Sequence, residues 1–332
     1  MAGVSHGGAL DRAMERYGGS ADSWLDLSTG INPVGCAVPR MPEKVWQRLP
    51  DESLVADCLA AARQCYGVPD DAGIVATPGT QAIIQWLPTL FNYADSVAIV
   101  SPTYGEYEHV FHAAGVRVST PETLPGPASG DAMLVVGQPN NPDGRAWAKD
   151  RLEPLIGGRS SLRAVIADEA FADVAPEHSL VGRTGDNTLL VLRSFGKFFG
   201  LAGARLGFAI GNPDVIESLE RMLGPWAVSG PALHLASVAL RDADWIAATR
   251  KRLADDRLRL AGMLARHGFE IVGGTDLFVL AGHARAAALA QGLGERHILV
   301  RAFDRQPEWL RFGMPASPQE FERLDQALGE TA

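Results

Sequence analysis

The amino-acid sequence predicts an α/β protein with a large domain, built on a mostly parallel central sheet covered by helices, and a smaller α+β domain. Short apolar runs alternate with amphipathic stretches between residues 74 and 223, which is typical of buried parallel strands and the helices that cover them. The 332 residues also exceed the length of a typical small domain. We therefore place the large domain at residues 51–222 and the small domain at residues 1–50 and 223–332.

Composition and charge narrow the classes of function. Hydrophobic residues make up 46% of the chain, enough for a sizeable core. The net charge of −9 is opposite to that of proteins that bind phosphate backbones or anionic membranes, so no nucleic-acid or membrane partner is expected. Cys36, Cys58 and Cys65 are scattered and form no metal-like pair, which predicts reduced thiols and no metal. Because no N-terminal signal pattern is present, we expect a cytoplasmic location.

Apolar runs and helix-boundary signals define the elements of the large domain. Ser53 is a candidate N-cap for a helix over residues 53–66 that stops at Gly67, and another helix begins near Thr80 after a Pro-Gly turn. Strands are predicted at residues 74–76, 96–100, 132–136, 162–167, 189–192 and 206–210. Further helices are predicted at residues 104–114, 149–156 and 213–223.

The flanking segments predict the smaller domain. A short helix over residues 9–17 is closed by Gly18, and residues 25–35 form a cluster of turn-forming residues typical of ligand-binding loops. Towards the C-terminus, helical patterns occupy residues 231–267, residues 285–292 and a last stretch from residue 318. Strand patterns occupy residues 270–280, 297–301 and 309–312.

Chemistry-bearing residues of the large domain fall at or just beyond the carboxyl ends of predicted strands, the edge where open α/β sheets bind ligands. They are Gly79 with Thr80, Tyr104, Asn141, Asp168, and Ser194 with Lys197. Lys197 is flanked by glycine and phenylalanine, and burial in apolar surroundings favours the neutral amine, which is a nucleophile toward carbonyls.

Each of these positions also has a purely structural interpretation. Gly79 and Thr80 suit an ordinary helix start, and Asp168 suits a cap or a salt bridge. Tyr104 suits a core aromatic position. Asn141 opens N-P-D-G, which is good β-turn chemistry by itself, and Lys197 suits a surface lysine lying on two phenylalanines.

Five motifs together resemble those of a known superfamily. They are G-T-Q at 79–81, P-T-Y at 102–104, N-N-P-D-G at 140–144, D-E-A-F at 168–171 and S-F-G-K-F-F-G-L-A-G-A-R-L-G at 194–207. In order and spacing they resemble the fold-type I pyridoxal-phosphate (PLP) enzymes, the aspartate aminotransferase superfamily. The resemblance covers nearly the whole chain and implies a fold-type I PLP-dependent transferase fold with pyridoxal 5'-phosphate as cofactor.

The resemblance also implies the roles of individual residues. Lys197 forms the aldimine with PLP, Asp168 pairs with the pyridine nitrogen, and Tyr104 stacks on the ring; these three are the expected catalytic residues. Asn141 donates to the ring O3′. The cofactor phosphate sits at the helix start of Gly79 and Thr80, with further contacts from Ser194 and Arg205. Gln81 is a further cofactor-binding residue. Arg311 matches the arginine that clamps the substrate α-carboxylate.

Two positions depart from the superfamily pattern. Many relatives have tyrosine where Phe171 stands, so one hydroxyl contact to O3′ is missing. Relatives also often have a tyrosine, in a Y-P-D-P-like segment, that reaches the cofactor phosphate of the neighbouring subunit. Leu49 occupies that position and cannot make the bond.

Within the superfamily, the chain resembles histidinol-phosphate aminotransferases and the L-threonine-O-3-phosphate decarboxylases of cobalamin synthesis. H-G-G at 6–8, Y-G at 17–18, L-D-L-S-T-G-I-N-P-V-G at 25–35 and the D-E-A-F motif favour the decarboxylases. That implies a lyase that releases CO₂ from the phosphorylated amino acid through a quinonoid intermediate. The alternatives are an aminotransferase of the histidinol-phosphate type and a non-enzymatic member that kept the fold, against which the presence of Lys197, Asp168 and Arg205 argues.

The decarboxylase interpretation implies a small phosphorylated amino-acid substrate and an N-terminal arm that helps to bind it. The expected substrate-binding residues are His6, Ser28, Gly30, Asn32, Asn141, Arg301 and Arg311. Arg16 is a further candidate for a cation near the substrate phosphate. A homodimer is expected by resemblance, since active sites in this superfamily lie at a subunit interface.

Overall fold

The computed structural model describes residues 7–126, 130–156, 161–185 and 188–331. Two compact units divide the chain: a smaller unit of Met1–Gly35, Pro142–Gly144 and Ile246–Ala332, and a larger unit of Cys36–Asn141 and Arg145–Trp245. Residues 36–50 and 223–245 thus fall in the larger unit, although the sequence places them in the small domain. The reason is packing within the larger unit, where the helix that starts at Gly230 lies against the helix that ends at Tyr66.

Helices and strands follow one another along the whole described chain. The helices are α1 (Leu10–Tyr17), α2 (Lys44–Gln47), α3 (Glu52–Tyr66), α4 (Thr80–Leu90), α5 (Glu106–Ala113), α6 (Lys149–Leu152), α7 (Phe195–Phe198), α8 (Pro213–Leu223), α9 (Gly230–Ala239), α10 (Ala243–Arg266), α11 (Ala286–Glu295) and α12 (Pro318–Thr331). The strands are β1 (Leu25–Asp26), β2 (Gly73–Thr77), β3 (Ser96–Ile99), β4 (Arg117–Ser119), β5 (Met133–Gly137), β6 (Ala164–Asp168), β7 (Leu189–Ser194), β8 (Gly207–Gly211), β9 (Glu270–Thr275), β10 (Phe278–Gly282), β11 (Ile298–Leu299), β12 (Arg301–Ala302) and β13 (Trp309–Gly313). No described helix is both long enough and apolar enough to span a membrane.

The larger unit is built on a seven-stranded sheet in the order β2-β8-β7-β6-β5-β3-β4. Strands β7, β6, β5, β3 and β4 run parallel, and β8 is antiparallel to both of its neighbours, so β2 points the same way as β7. The predicted mostly parallel central sheet is confirmed. The sequence missed β4 because its three residues are largely exposed and leave no apolar run.

One core cluster packs α4, α5 and α8 against this sheet. It includes Ile83, Leu87, Tyr107, Phe111 and Leu219, none more than 1% exposed. Because β5 is buried along its whole length and β6 up to its last residue, their side chains are apolar throughout, as parallel strands covered on both faces require. Asp168, the last residue of β6, is the exception.

Three local predictions differ from the structure. The N-cap of α3 is Asp51, whose carboxylate accepts the Leu54 amide hydrogen, and Ser53 donates its hydroxyl to the same carboxylate. The helical pattern at 231–267 is two helices, because Asp242 caps the start of α10 by accepting from the Trp245 amide. The strand pattern at 270–280 is two antiparallel strands, β9 and β10.

The smaller unit contains a four-stranded antiparallel sheet and a two-stranded parallel one. The first has the order β12-β13-β10-β9, and the second pairs β1 with β11. In the antiparallel sheet, Arg301 of β12 lies directly opposite Arg311 of β13. The loop after β1 is attached to β13, because the Gly313 amide donates to the Leu27 carbonyl at 2.7 Å.

Candidate active site

The chemistry-bearing residues of the larger unit gather at one edge of its sheet. Asp168 ends β6 and Ser194 ends β7, while Gly79 and Thr80 follow β2. Tyr104 and Asn141 lie in the segments after β3 and β5. Since these strands point the same way, their carboxyl ends share an edge, as the sequence predicts.

The Asp168 carboxylate is held by two protein donors. The Tyr107 hydroxyl donates to Oδ2 at 2.8 Å, and the Ala170 amide donates to Oδ1 at 3.0 Å. Burial raises the pKa of Asp168, while these two hydrogen bonds and the nearby charge of Lys197 act to lower that pKa. The two hydrogen bonds therefore hold the Asp168 carboxylate in one orientation, in a site that is partly shielded from solvent.

Tyr104 is oriented by a chain of hydrogen bonds to α4. Its hydroxyl donates to Gln81 Oε1 at 3.0 Å, and the amide group of Gln81 donates to Glu106 at 2.8 Å. Burial, with the charges of Glu106 and Asp168, raises the pKa of Tyr104 to about 12, so the hydroxyl stays protonated and remains a donor. Its ring stands edge-on to that of Tyr107, with the two centres 6.3 Å apart.

Lys197 lies in the short helix α7, which aromatic packing fixes in place. Phe195 and Phe199 stack with ring centres 4.6 Å apart, and Phe199 also stacks on Trp245 at 5.7 Å. A Cβ at Gly196 would lie 2.8 Å from the Cα of Ala202, so this close approach requires glycine. The Lys197 amine lies 5.8 Å from the centre of the Phe171 ring.

Arg205 places its guanidinium at the start of α4. A Cβ at Gly79, where φ is +83°, would lie 2.7 Å from Nη2 of Arg205. Arg205 itself has φ 50° and ψ 60°, a left-handed conformation that is costly for a residue with a side chain. Gly207 approaches the Thr80 amide in the same region. Backbone N–H groups at the start of a helix, next to a guanidinium, can form a binding site for an anion.

The two adjacent asparagines of the N-N-P-D-G motif differ in their surroundings. Asn140 is buried, accepts from the Thr103 hydroxyl at 2.7 Å and donates to the Pro102 carbonyl at 2.8 Å, so its amide is used within the loop. Asn141 is half-buried at the sheet edge. The resemblance predicts Asn141, not Asn140, as the cofactor-binding residue. The structure is in line with this choice, because the side chain of Asn140 already makes hydrogen bonds within the protein.

The smaller unit carries a buried arginine. Arg311 donates to the Ser28 carbonyl at 3.0 Å, and its guanidinium lies 5.0 Å from the centre of the Phe278 ring. Burial, together with the charge of Arg301, lowers the pKa of Arg311 to about 10. Burial also lowers the pKa of Arg301. An anion placed between two such cations would offset their loss of hydration and their repulsion.

The remaining substrate-binding predictions lie in the loop after β1 or outside the described residues. Ser28 is buried, donates its hydroxyl to Asp26 at 2.6 Å and accepts from the Gly8 amide at 2.7 Å. Asn32 is buried with Oδ1 accepting from Val34 and Arg252, so the side-chain amide is oriented by the protein. Gly30 is buried in the same loop. His6 lies outside the described residues, and Arg16 is an exposed residue of α1.

Residues 52–328 match the family described as aminotransferase class I and II. The chain belongs to the aminotransferase class I and II family. It is 43% identical over 328 residues to a threonine-phosphate decarboxylase of Sinorhizobium sp, with 98% of this chain and 97% of that relative covered. It is 42% identical over 334 residues to a threonine-phosphate decarboxylase of Pseudomonas aeruginosa, with the same coverage. These relatives confirm the subgroup that the H-G-G and D-E-A-F motifs predict.

The fold of this aminotransferase-family chain is also that of a solved structure. A histidinol-phosphate aminotransferase from Sinorhizobium meliloti, in complex with pyridoxal-5'-phosphate, superposes with a TM-score of 0.83. The alignment covers all of this chain and 95% of that one at 19% identity. At this identity the likeness concerns the fold, and it confirms the predicted α/β fold of the fold-type I class.

Sequence reasoning missed a buried charge cluster of this aminotransferase-family chain. Arg193 of β7 donates to Glu169 at 3.0 Å and to Asp173 at 2.5 Å, and all three side chains are at most 3% exposed. The Tyr66 ring lies 4.3 Å from the guanidinium. The available signal was the presence of two charged residues, Glu169 and Arg193, next to the site residues Asp168 and Ser194. The sequence does not show that these two side chains form an ion pair, because that depends on the register of β6 and β7.

Sequence reasoning also missed Tyr107, the donor to Asp168. The Y-x-x-Y spacing in P-T-Y-G-E-Y was the available signal, but only the fold brings the second tyrosine to β6. Both departures from the superfamily pattern remain as the sequence describes them: Phe171 is buried, and Leu49 is 63% exposed. The roles of all these residues toward cofactor and substrate stay predictions.

Proposed function

We propose that the larger unit binds pyridoxal 5'-phosphate and that its residues fit each chemical group of that cofactor. Lys197 supplies the amine for covalent attachment, and the fixed carboxylate of Asp168 suits a protonated ring nitrogen. The phosphate would be held by Arg205 at the start of α4, where the absence of a Cβ at Gly79 leaves room for the guanidinium. The set is completed by Thr80, Gln81, Tyr104, Asn141 and Ser194.

We further propose that the protein decarboxylates L-threonine O-3-phosphate to (R)-1-amino-2-propanol O-phosphate, a reaction of cobalamin synthesis. The observation that carries this proposal is the identity of 42–43%, over 98% of the chain, to relatives named threonine-phosphate decarboxylase. The facing Arg301 and Arg311 suit this substrate, because it has two anionic groups, a carboxylate and a phosphate.

In the larger unit, Asp168 and Lys197 would perform the proton chemistry. When bound, PLP accepts into its ring the electron pair left by cleavage of a bond to the substrate Cα. An ionised Asp168 would favour a proton on the ring nitrogen, and a protonated nitrogen favours that electron flow. The bond between Cα and the carboxylate breaks, CO₂ leaves, and a proton takes its place at Cα. The Nζ atom of Lys197 is the group that would carry this proton.

In the smaller unit, Arg301 and Arg311 would fix the substrate by its anions. A guanidinium binds a carboxylate or a phosphate through two parallel hydrogen bonds, so it sets orientation as well as affinity. Orientation decides the reaction, because the bond at Cα that breaks is the one aligned with the ring's π electrons. Ser28, Gly30, Asn32, Asn141 and His6 are the further residues proposed for substrate binding.

The first experiment follows CO₂ release and aminopropanol phosphate formation from L-threonine O-3-phosphate with the PLP-loaded protein. The expected result is turnover in the wild type and a loss of at least about 10³-fold in Lys197→Ala, because the essential amine is removed. Formation of pyridoxamine phosphate from glutamate or histidinol phosphate, without CO₂ release, would instead establish the aminotransferase alternative.

We also propose that the protein works as a homodimer. Several large apolar side chains of the larger unit are exposed in the single chain: Val38 is 60% exposed, Trp46 68% and Trp226 60%. Trp226 also lines a cavity of about 530 Å³ with Pro50 and Val55, and charged residues of α8 line the same cavity. Apolar surface of this kind is typical of a face that another protein covers, and a second copy is the occupant we propose.

A further inference from the structure

Tyr107 makes the one side-chain hydrogen bond to Asp168 in the part of the chain that the structure describes. The residue lies in the first turn of α5 and is fully buried in the core cluster that packs on the sheet. Its hydroxyl reaches the carboxylate at 2.8 Å across 61 residues of sequence. The ring of Tyr107 is therefore part of the hydrophobic core, while its hydroxyl contacts a carboxylate of the candidate site. This arrangement indicates a role beyond core packing.

We propose that Tyr107 is a positioning residue that keeps Asp168 ionised and aimed at the cofactor, so that the cofactor ring nitrogen retains its proton. This inference rests on the proposed binding of PLP and adds a residue that neither the motifs nor the comparisons assign. Tyr107 touches neither the cofactor nor the substrate in this proposal and acts through Asp168.

Tyr107 can only donate in this pair. Burial and the neighbouring charge of Asp168 raise the pKa of Tyr107 well above its ordinary value, so its hydroxyl keeps its hydrogen at any physiological pH. Burial alone would favour the protonated, neutral form of Asp168. Hydrogen bonds to the charged form of a carboxyl group oppose that effect, and Tyr107 and the Ala170 amide supply one to each oxygen.

The effect of Tyr107 on Asp168 can be measured through the proton that Asp168 and the cofactor ring nitrogen would share. With one proton between the ring nitrogen and Asp168, a less stabilised carboxylate draws that proton away from the nitrogen. Loss of a hydrogen bond to a charged group shifts such an equilibrium by roughly 10- to 100-fold. Tyr107→Phe keeps the ring in the core and removes only the donor.

The turn that leads into α5 links this task to Tyr104, whose carbonyl accepts from the Tyr107 amide at 3.3 Å. Tyr104 and Tyr107 are three residues apart, and their rings pack edge to face at 6.3 Å. Gln81 fixes the Tyr104 hydroxyl while Asp168 fixes that of Tyr107, so the P-T-Y-G-E-Y segment is tied at both tyrosines. This one segment therefore positions both the Tyr104 ring and, through Tyr107, the Asp168 carboxylate.

The test measures the ¹⁵N resonance of ring-labelled PLP bound to the full chain, which reports protonation of the ring nitrogen independently of any turnover. Tyr107→Phe is expected to move the resonance toward that of a neutral, hydrogen-bonded pyridine and to lower kcat by about 10-fold with KM changed less than about 3-fold. Tyr66→Phe is the matched control, because it removes another buried tyrosine hydroxyl of the larger unit that has no hydrogen-bond partner among the described residues. It is expected to leave the resonance at the wild-type position.

A second variant keeps the test decisive if Tyr107→Phe does not fold. Incorporation of 3-fluorotyrosine at position 107 retains the ring and strengthens the hydroxyl as a donor, so the ring nitrogen should keep its proton to a higher pH than in the wild type. An unchanged resonance in Tyr107→Phe, or an unchanged pH of nitrogen deprotonation in the fluorotyrosine variant, overturns the inference. Failure of the wild type to bind PLP is a different result, which overturns the proposed cofactor and this inference with it.

Discussion

At the scale of single residues, Gly79 decides whether Arg205 can reach the start of α4. A Cβ there would lie 2.7 Å from the guanidinium, and φ is +83°. We expect Gly79→Ala to weaken PLP binding by at least about 10-fold, because the side chain both strains the turn and displaces Arg205. The measurement is a titration of the apoprotein with PLP, followed by absorbance.

Gly224→Ala separates the two effects in Gly79→Ala. Gly224 follows α8 with φ +72° and ψ 176°, close to the φ +83° and ψ 160° of Gly79, and an added Cβ there would meet no atom within 4 Å. This control is expected to cost about 1–3 kcal/mol of stability while leaving PLP affinity unchanged. Equal PLP affinity in the two variants would show that Arg205 does not need the space beside Gly79.

The sequence predicts some individual site residues but not the residues that contact them. Lys197 and Asp168 could be predicted because strand ends and motif spacing are both visible in the sequence. The donor to Asp168 could not, because Tyr107 reaches it from 61 residues away. Ser28 and Arg311 are 283 residues apart, and only the fold shows that a backbone carbonyl occupies one arginine nitrogen.

At the scale of elements, the buried cluster of Arg193, Glu169 and Asp173 joins the carboxyl ends of β6 and β7. Arg193→Met leaves two carboxylates in an apolar interior without their cation, so we expect it to lower the free energy of unfolding by about 3–5 kcal/mol. Denaturant unfolding measures the loss. Arg183→Met is the matched control: its ion pair with Glu153 is about half exposed, and the expected loss is below about 1 kcal/mol. Similar losses in both variants would argue against a structural role for the buried cluster.

Element boundaries were predictable where a local signal was strong. Gly67 stops α3 and Pro213 starts α8 as the sequence predicts, because left-handed glycine and first-turn proline are local effects. The break between β9 and β10 was missed, although Gly273 and Gly274 lie beside it. The hairpin loop between the strands is only two residues, Asp276 and Leu277, and the Leu277 amide donates to the Thr275 hydroxyl. So short a turn hardly interrupts the strand pattern of the sequence.

At the scale of the whole molecule, the two units divide the proposed chemistry between them. The residues proposed for the cofactor belong to the larger unit. Apart from Asn141, the substrate residues with a described position belong to the smaller unit, which the chain enters both at its N-terminus and after residue 245. Length and composition predicted a second domain but not its boundaries, because the division between Trp245 and Ile246 falls inside α10, where no linker marks it.

The oligomeric state is the prediction that belongs to the whole molecule. Sedimentation of the wild type is expected to give twice the 35.4 kDa of the chain. Trp46→Glu combined with Leu49→Glu places two charges on the exposed apolar face, where 68% and 63% of the side chains are accessible in the single chain. Because burying unpaired charges costs several kcal/mol, dimer affinity should fall by more than about 10³-fold and the monomer should predominate. Leu258→Glu, at a residue 71% exposed in the smaller unit, should leave the dimer intact. A wild-type monomer, or a double variant that stays dimeric, would place the subunit interface elsewhere or remove it.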